Sequence, residues 1–90
     1  YAASKAAIIS LTETLSKEYA DYGITVNAVS PPAVPTDLIK GVPKEKMDAL
    51  LKRQAIHRYG TPEEVCDVID FFIDKKNNMV TGQIVYMGGV

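Results

Sequence analysis

Tyr1 and Lys5 stand four positions apart, and on a helix that spacing puts a phenol and an ammonium on one face, one turn from each other. An unperturbed tyrosine hydroxyl titrates near pH ~10, and an adjacent positive charge favours the phenolate and lowers that value. Such a pair can give a proton to a substrate oxygen, or take one, close to neutral pH. The spacing is common by itself, and a packed tyrosine beside a solvated lysine is the plain alternative. His57 is the lone histidine and has no second histidine, cysteine or carboxylate at ligand spacing, so it reads as a surface or loop residue and no metal site is expected. The single cysteine, Cys66, excludes an internal disulfide and reads as a small buried hydrophobe beside the apolar face of its helix.

The elements that position the Tyr1–Lys5 pair follow from periodicity. Residues 1–22 contain neither Gly nor Pro, and Ile8, Leu11, Leu15, Tyr19 and Tyr22 recur in three- and four-residue steps, which predicts an amphipathic helix closed by Gly23. The β-branched run Ile24–Val29 predicts a buried strand that ends at Pro31 and Pro32. Four prolines and Gly41 in the stretch from Ser30 through Pro43 predict a loop with at most a short helix at 36–40, where Thr36 is a candidate N-cap. A second amphipathic helix starts at Pro43, carries Met47, Leu50 and Leu51, and ends before Gly60. Thr61, Pro62 and Glu64 compose a capping box, and Val65, Val68, Ile69, Phe72 and Ile73 form the apolar face of the helix that follows. Asn77 and Asn78 mark a turn, and Ile84–Met87 is a second buried strand before Gly88 and Gly89. This order implies a parallel βαβ unit, with a crossover that is nearly always right-handed.

Ninety residues, 47% hydrophobic and 23% charged, describe a small globular domain. A net charge of −1 supplies no electrostatic footprint for nucleic acid or an anionic membrane, and no run of about eighteen apolar residues is present to span a bilayer. A reduced, cytoplasmic setting is the expectation. Tyr1 lies inside the first helix with no initiator Met or signal peptide ahead of it, so the chain is expected to be truncated.

Tyr1-Ala2-Ala3-Ser4-Lys5, the stretch Gly23–Pro31, Thr36, the run Gly60–Val65 and Thr81-Gly82-Gln83 occur in one order. Together they resemble the classical short-chain dehydrogenase/reductase family, which includes the 3-oxoacyl-(acyl-carrier-protein) reductases. The resemblance implies an α/β chain, the C-terminal part of a Rossmann-like doubly wound parallel sheet, with residues 1–90 forming the C-terminal portion of one domain whose nucleotide-binding N-terminal half is absent. It further implies that Tyr1 exchanges the proton with the substrate oxygen, that Lys5 holds the nicotinamide ribose and lowers the Tyr1 pKa, and that Pro31, Val34 and Thr36 contact the cofactor. The implied cofactor is NAD(P)(H), with the choice between NAD and NADP left open because its determinants lie upstream. Ser4 is not the family's catalytic serine and reads as a helix-packing residue. Pro32 departs from the family's usual glycine, which leaves the loop path at that point open, and Met87 directly precedes the paired glycines where an acidic or amide residue is usual.

The expected function is interconversion of a ketone and a secondary alcohol, on a small-molecule substrate that includes acyl-carrier-protein-linked ones. Two alternatives stay open: a sugar, steroid or polyol dehydrogenase of the same family, because the stretch from Val34 to Arg58 holds no diagnostic polar cluster, and a catalytically silent fragment that acts only in assembly. A homodimer or homotetramer is also implied. Ala2, Ala3, Ala6 and Ala7 smooth the first helix, and Phe71, Phe72, Tyr86 and Met87 are more large apolar groups than two small elements bury within one subunit.

Overall fold

The computed structural model describes residues 2–35 and 41–89. Helix α1 spans Ala2–Tyr19 and tightens into a single 3₁₀ turn at Ala20–Tyr22. Gly23 ends it at φ 73°, donating its N–H to the Ala20 carbonyl at 3.0 Å, and only glycine takes that left-handed conformation without cost. Strand β1 is Ala28–Ser30, α2 is Lys44–Arg53, α3 is Pro62–Ile73, and β2 is Ile84–Tyr86. The strands pair in parallel, with Ala28 opposite Ile84, Val29 opposite Val85 and Ser30 opposite Tyr86. The expected parallel βαβ arrangement is therefore present. No helix among the described residues is long and apolar enough to cross a membrane.

The first strand is shorter than the run Ile24–Val29 suggests, and the cause is on its partner. Gly82 takes a left-handed φ of 70°, which a regular ladder does not accommodate. One irregular backbone bond and three side-chain bonds replace the missing ladder bonds. Val26 N–H donates to Thr81 Oγ1 at 3.0 Å, Gly82 N–H donates to the Val26 carbonyl at 2.7 Å, and the Asn27 amide bridges the Val80 carbonyl and the Gln83 N–H. The regular ladder then starts at Ala28. With two strands in the described sheet, β1 is half-buried rather than buried, and so are Ile84 and Val85 of β2, while Tyr86 is exposed.

The inward face of α1 also differs from the expectation. Ile8 and Leu11 are each 57% exposed, Tyr19 and Tyr22 are exposed, and the buried residues are Thr12 and Ser16. Close approach explains the choice: a Cβ on Gly82 would stand 2.8 Å from Ser16 Oγ, a gap that only a small residue on α1 permits. Both hydroxyls are satisfied within the helix, Thr12 donating to the Ile8 carbonyl and Ser16 to the Glu13 carbonyl, each at 2.7 Å. Ser4, expected to pack, is exposed, and so is Cys66, which the α3 periodicity placed beside the buried face. On α3 itself Val65, Val68 and Phe72 are half-buried while Ile69 and Ile73 are exposed. A two-stranded sheet is too narrow to cover the whole of that face.

The start of α3 is built as the sequence indicates. Glu64 N–H donates to Thr61 Oγ1 at 3.1 Å, and Thr61 N–H donates to Glu64 Oε1 at 3.0 Å. Arg58 adds a two-pronged contact to the same carboxylate, at 3.0 and 2.8 Å. Chiefly through the Arg58 hydrogen bonds, and then through the Thr61 backbone, the Glu64 carboxyl is held at about 2, below its ordinary 4.5. A carboxylate lowered by folding stabilises the fold above its unfolded value, and that contribution fades as pH falls from about 4.5 toward about 2. Replacing Thr61 by Ala is expected to lower stability by about 1 kcal/mol, and thermal melts of the full-length protein at neutral pH measure it. An unchanged melting temperature would show that the cap contributes nothing.

Candidate functional site

Strand β1 ends at Ser30 and β2 ends at Tyr86, and because the strands are parallel both C-terminal ends open on the same edge. In open α/β sheets this edge is where ligands bind. A groove of about 470 Å³ lies there. Lys5 contributes from α1, Pro31, Pro32 and Val34 from the loop after β1, Met47, Leu50 and Arg53 from α2, and Tyr86 and Met87 from the end of β2. Lys5 also borders a second groove of about 320 Å³, together with Ile8 and Ile9 of α1 and Val29 of β1. The sequence thus separates Lys5 from Pro31 and Val34 by more than twenty residues, and the fold brings them to one cleft. Tyr1 and Thr36, the other two site candidates, lie outside the described residues, as does the short helix expected at 36–40.

The cleft wall formed by the loop after β1 is anchored through Ala33. Ala33 N–H donates to Gln54 Oε1 at 2.7 Å, and the Ala33 carbonyl accepts from Gly60 N–H at 2.9 Å. Pro31 and Pro32 have no N–H to offer. Among the described residues no hydrogen bond engages the Val34 backbone. The path around Pro32 follows from packing: its ring lies against Gly60, where an added Cβ would collide with Pro32 Cγ. Pro32 is thus accommodated by the glycine opposite it. The charged residues described in the groove lining are Lys5 and Arg53.

Several residues that shape this site carry no motif of their own. Gln54, at the end of α2, is buried and holds Ala33, and Asn27 sets the ladder that carries β1 to the cleft. An amide within a β-branched run was the available signal for Asn27, whereas Gln54 looks like any polar residue at a helix end. His57 is exposed in the connection between α2 and α3, as expected. Among the described residues no group of three or more His, Cys, Asp or Glu side chains is gathered.

Residues 1–89 match the family model described as enoyl-(acyl carrier protein) reductase. The chain is 40% identical over 89 residues to the 3-oxoacyl-[acyl-carrier-protein] reductase FabG of Thermotoga maritima, covering 99% of this chain and 36% of that protein. It is 35% identical over 89 residues to the FabG of Rickettsia felis, with 99% and 37% covered. Among solved structures it resembles the 3-oxoacyl-[acyl-carrier protein] reductase of Brucella melitensis with a TM-score of 0.87 and 38% identity, over 100% of this chain and 34% of that one. It also resembles a short chain dehydrogenase of Burkholderia cenocepacia in complex with NADP, with a TM-score of 0.84 and 35% identity, over 99% of this chain and 36% of that one. The chain therefore spans about a third of the length of these relatives.

Proposed function

The chain belongs to the short-chain dehydrogenase/reductase family, with a Rossmann-type α/β fold, and on that premise we propose that it is the C-terminal, proton-transferring portion of an NAD(P)-dependent carbonyl reductase. The observation that carries the reading is the convergence of Lys5, the loop Pro31–Val34 and the end of β2 on one cleft at the carboxyl edge of a parallel sheet. The likeness to 3-oxoacyl-[acyl-carrier-protein] reductases supports a 3-oxoacyl thioester as the substrate.

The residues present suit the nicotinamide end of a dinucleotide. Lys5 is a donor for ribose hydroxyls, and the Val34 N–H and carbonyl match the acceptor and donor of a carboxamide. Pro31 and Pro32 give that wall an apolar surface for the ring. When bound, the nicotinamide supplies or accepts the hydride at the carbonyl carbon. Tyr1 gives its phenolic proton to the carbonyl oxygen as that oxygen gains negative charge, and takes a proton back in the reverse direction. Lys5, four residues on in the sequence, stabilises the phenolate left behind and so makes Tyr1 a stronger acid. Met47 and Leu50 offer the acyl chain an apolar wall.

The same reading includes a homodimer or homotetramer. Its support is the exposure of Phe71 on α3, at 49%.

The test is the full-length protein assayed with NADPH and NADH against a 3-oxoacyl thioester, following the loss of reduced-nicotinamide absorbance. Lys5→Ala is expected to weaken dinucleotide binding by about ten- to a hundredfold, the range for losing a charge-assisted hydrogen bond, and to lower kcat as well. Turnover and binding unaffected by Lys5→Ala would remove Lys5 from the site.

A further inference from the structure

Gln54 follows the last residue of α2 and is only 9% exposed. Burying a primary amide is unfavourable unless both of its ends are paired. Here both are. Oε1 accepts from Ala33 N–H at 2.7 Å, while Nε2 donates to the carbonyls of Ile56 at 3.0 Å and Arg58 at 3.1 Å. The side chain is also confined by β2's end, since a Cβ on Gly88 would stand 3.0 Å from Gln54 Cδ and Gly88 itself has a left-handed φ of 82°.

These bonds join two walls of one cleft. Ala33 lies between Pro32 and Val34 on the wall ascribed to the nicotinamide, and Met47, Leu50 and Arg53 on α2 form the wall ascribed to the substrate. Each wall is short and, among the described residues, has little other buried packing to hold it, because Met47 is the one buried hydrophobic side chain. We infer that Gln54 is a positioning residue: its amide sets the spacing between the loop after β1 and α2, and thereby where a substrate whose acyl chain lies along α2 meets a nicotinamide held by the loop. The inference rests on the functional reading given above. Gln54 acts through Ala33 and touches no reacting atom.

Two substitutions in the full-length protein separate this role from general support. Gln54→Met is close in volume but leaves the Ala33 N–H and both carbonyls unpaired. Gln54→Glu keeps an acceptor for the Ala33 N–H and gives up the donors to the carbonyls. The measurements are amide hydrogen exchange at Ala33 without cofactor, KM for the dinucleotide, kcat, and melting temperature. Gln54→Met is expected to speed Ala33 exchange and raise the dinucleotide KM, each by about tenfold, as loss of one net hydrogen bond implies. Gln54→Glu is expected to stay within about twofold on both, because that bond remains, although it too melts at a lower temperature.

A KM that rises equally in both variants, in step with their melting temperatures, overturns the assignment in favour of a purely structural amide. If Gln54→Met does not accumulate as folded protein, Gln54→Glu decides alone: a retained KM at lowered melting temperature supports the role, and a KM raised with destabilisation refutes it. An unaltered protein that reduces no carbonyl substrate with either nucleotide overturns the functional reading. An active protein whose Gln54→Met variant matches it in Ala33 exchange and KM overturns the Gln54 assignment alone.

Discussion

Replacing Tyr1 by Phe in the full-length protein is expected to lower kcat by about a hundred- to ten-thousandfold, the usual contribution of a positioned general acid, while dinucleotide binding stays nearly unchanged. Phe keeps the ring and loses only the hydroxyl, so the substitution removes the proposed proton transfer and little else. Lys5 retains its ammonium for the ribose, and binding survives on that contact. The two substitutions therefore separate proton transfer from cofactor holding: Tyr1→Phe affects turnover alone, and Lys5→Ala affects both. Steady-state rates with reduced nicotinamide, set beside dinucleotide affinity measured by fluorescence, provide the comparison. A Phe variant that kept most of its kcat would return Tyr1 to an ordinary packing role.

The 90-residue chain produced by itself is expected to melt without a cooperative transition and to bind neither NADH nor NADPH. Its accessible surface is 6927 Å², where a compact folded monomer of 9.8 kDa has about 5,200 Å². Its Cα radius of gyration is 15.2 Å, against about 12 Å for a compact chain of this length. Met47 is the one buried hydrophobic residue among those described, and Ile8, Leu11, Ile69, Phe71 and Ile73 are exposed on α1 and α3. At about 25 cal/mol per Å² of apolar burial, so thin a core offsets little of the ~1–2 kcal/mol per residue lost in backbone entropy. Among the described residues the sheet consists of β1 and β2, so each of these strands has one edge without a strand partner there. Differential scanning calorimetry decides the matter. A sharp transition carrying about 0.7 kcal/mol per residue would show that the chain folds independently, and the prediction would then be wrong.

How much was legible in the sequence varied with the range of the interactions concerned. The Thr61 capping box, the Gly23 helix end, the start of α2 after Pro43 and the parallel strand order are visible in the residues themselves, because each depends on neighbours within a few positions or on a strict period. The same holds for the Tyr1–Lys5 spacing, which is a property of any helix. Where the local pattern misled, a distant partner was responsible. The apolar stripe of α1 pointed to Ile8 and Leu11 as the buried face, yet the close approach of Gly82 selects Thr12 and Ser16. Cys66 sits beside apolar neighbours on α3, and a two-stranded sheet does not reach it.

The cleft divides in the same way. Side-chain chemistry and spacing pointed to the Tyr1–Lys5 pair for proton handling, and helical and strand periodicity to the α/β order that presents it, while the assignment of residues to a nicotinamide came from the family resemblance. The tertiary structure alone decided that Lys5, Val34 and Arg53 share one groove, that Pro32 nests against Gly60, and that the Gln54 amide joins Ala33 to the carbonyls of Ile56 and Arg58. Those are pairings between groups far apart along the chain or in irregular segments. No local propensity encodes them, because each bond exists only once the segments that supply its two ends have been brought together.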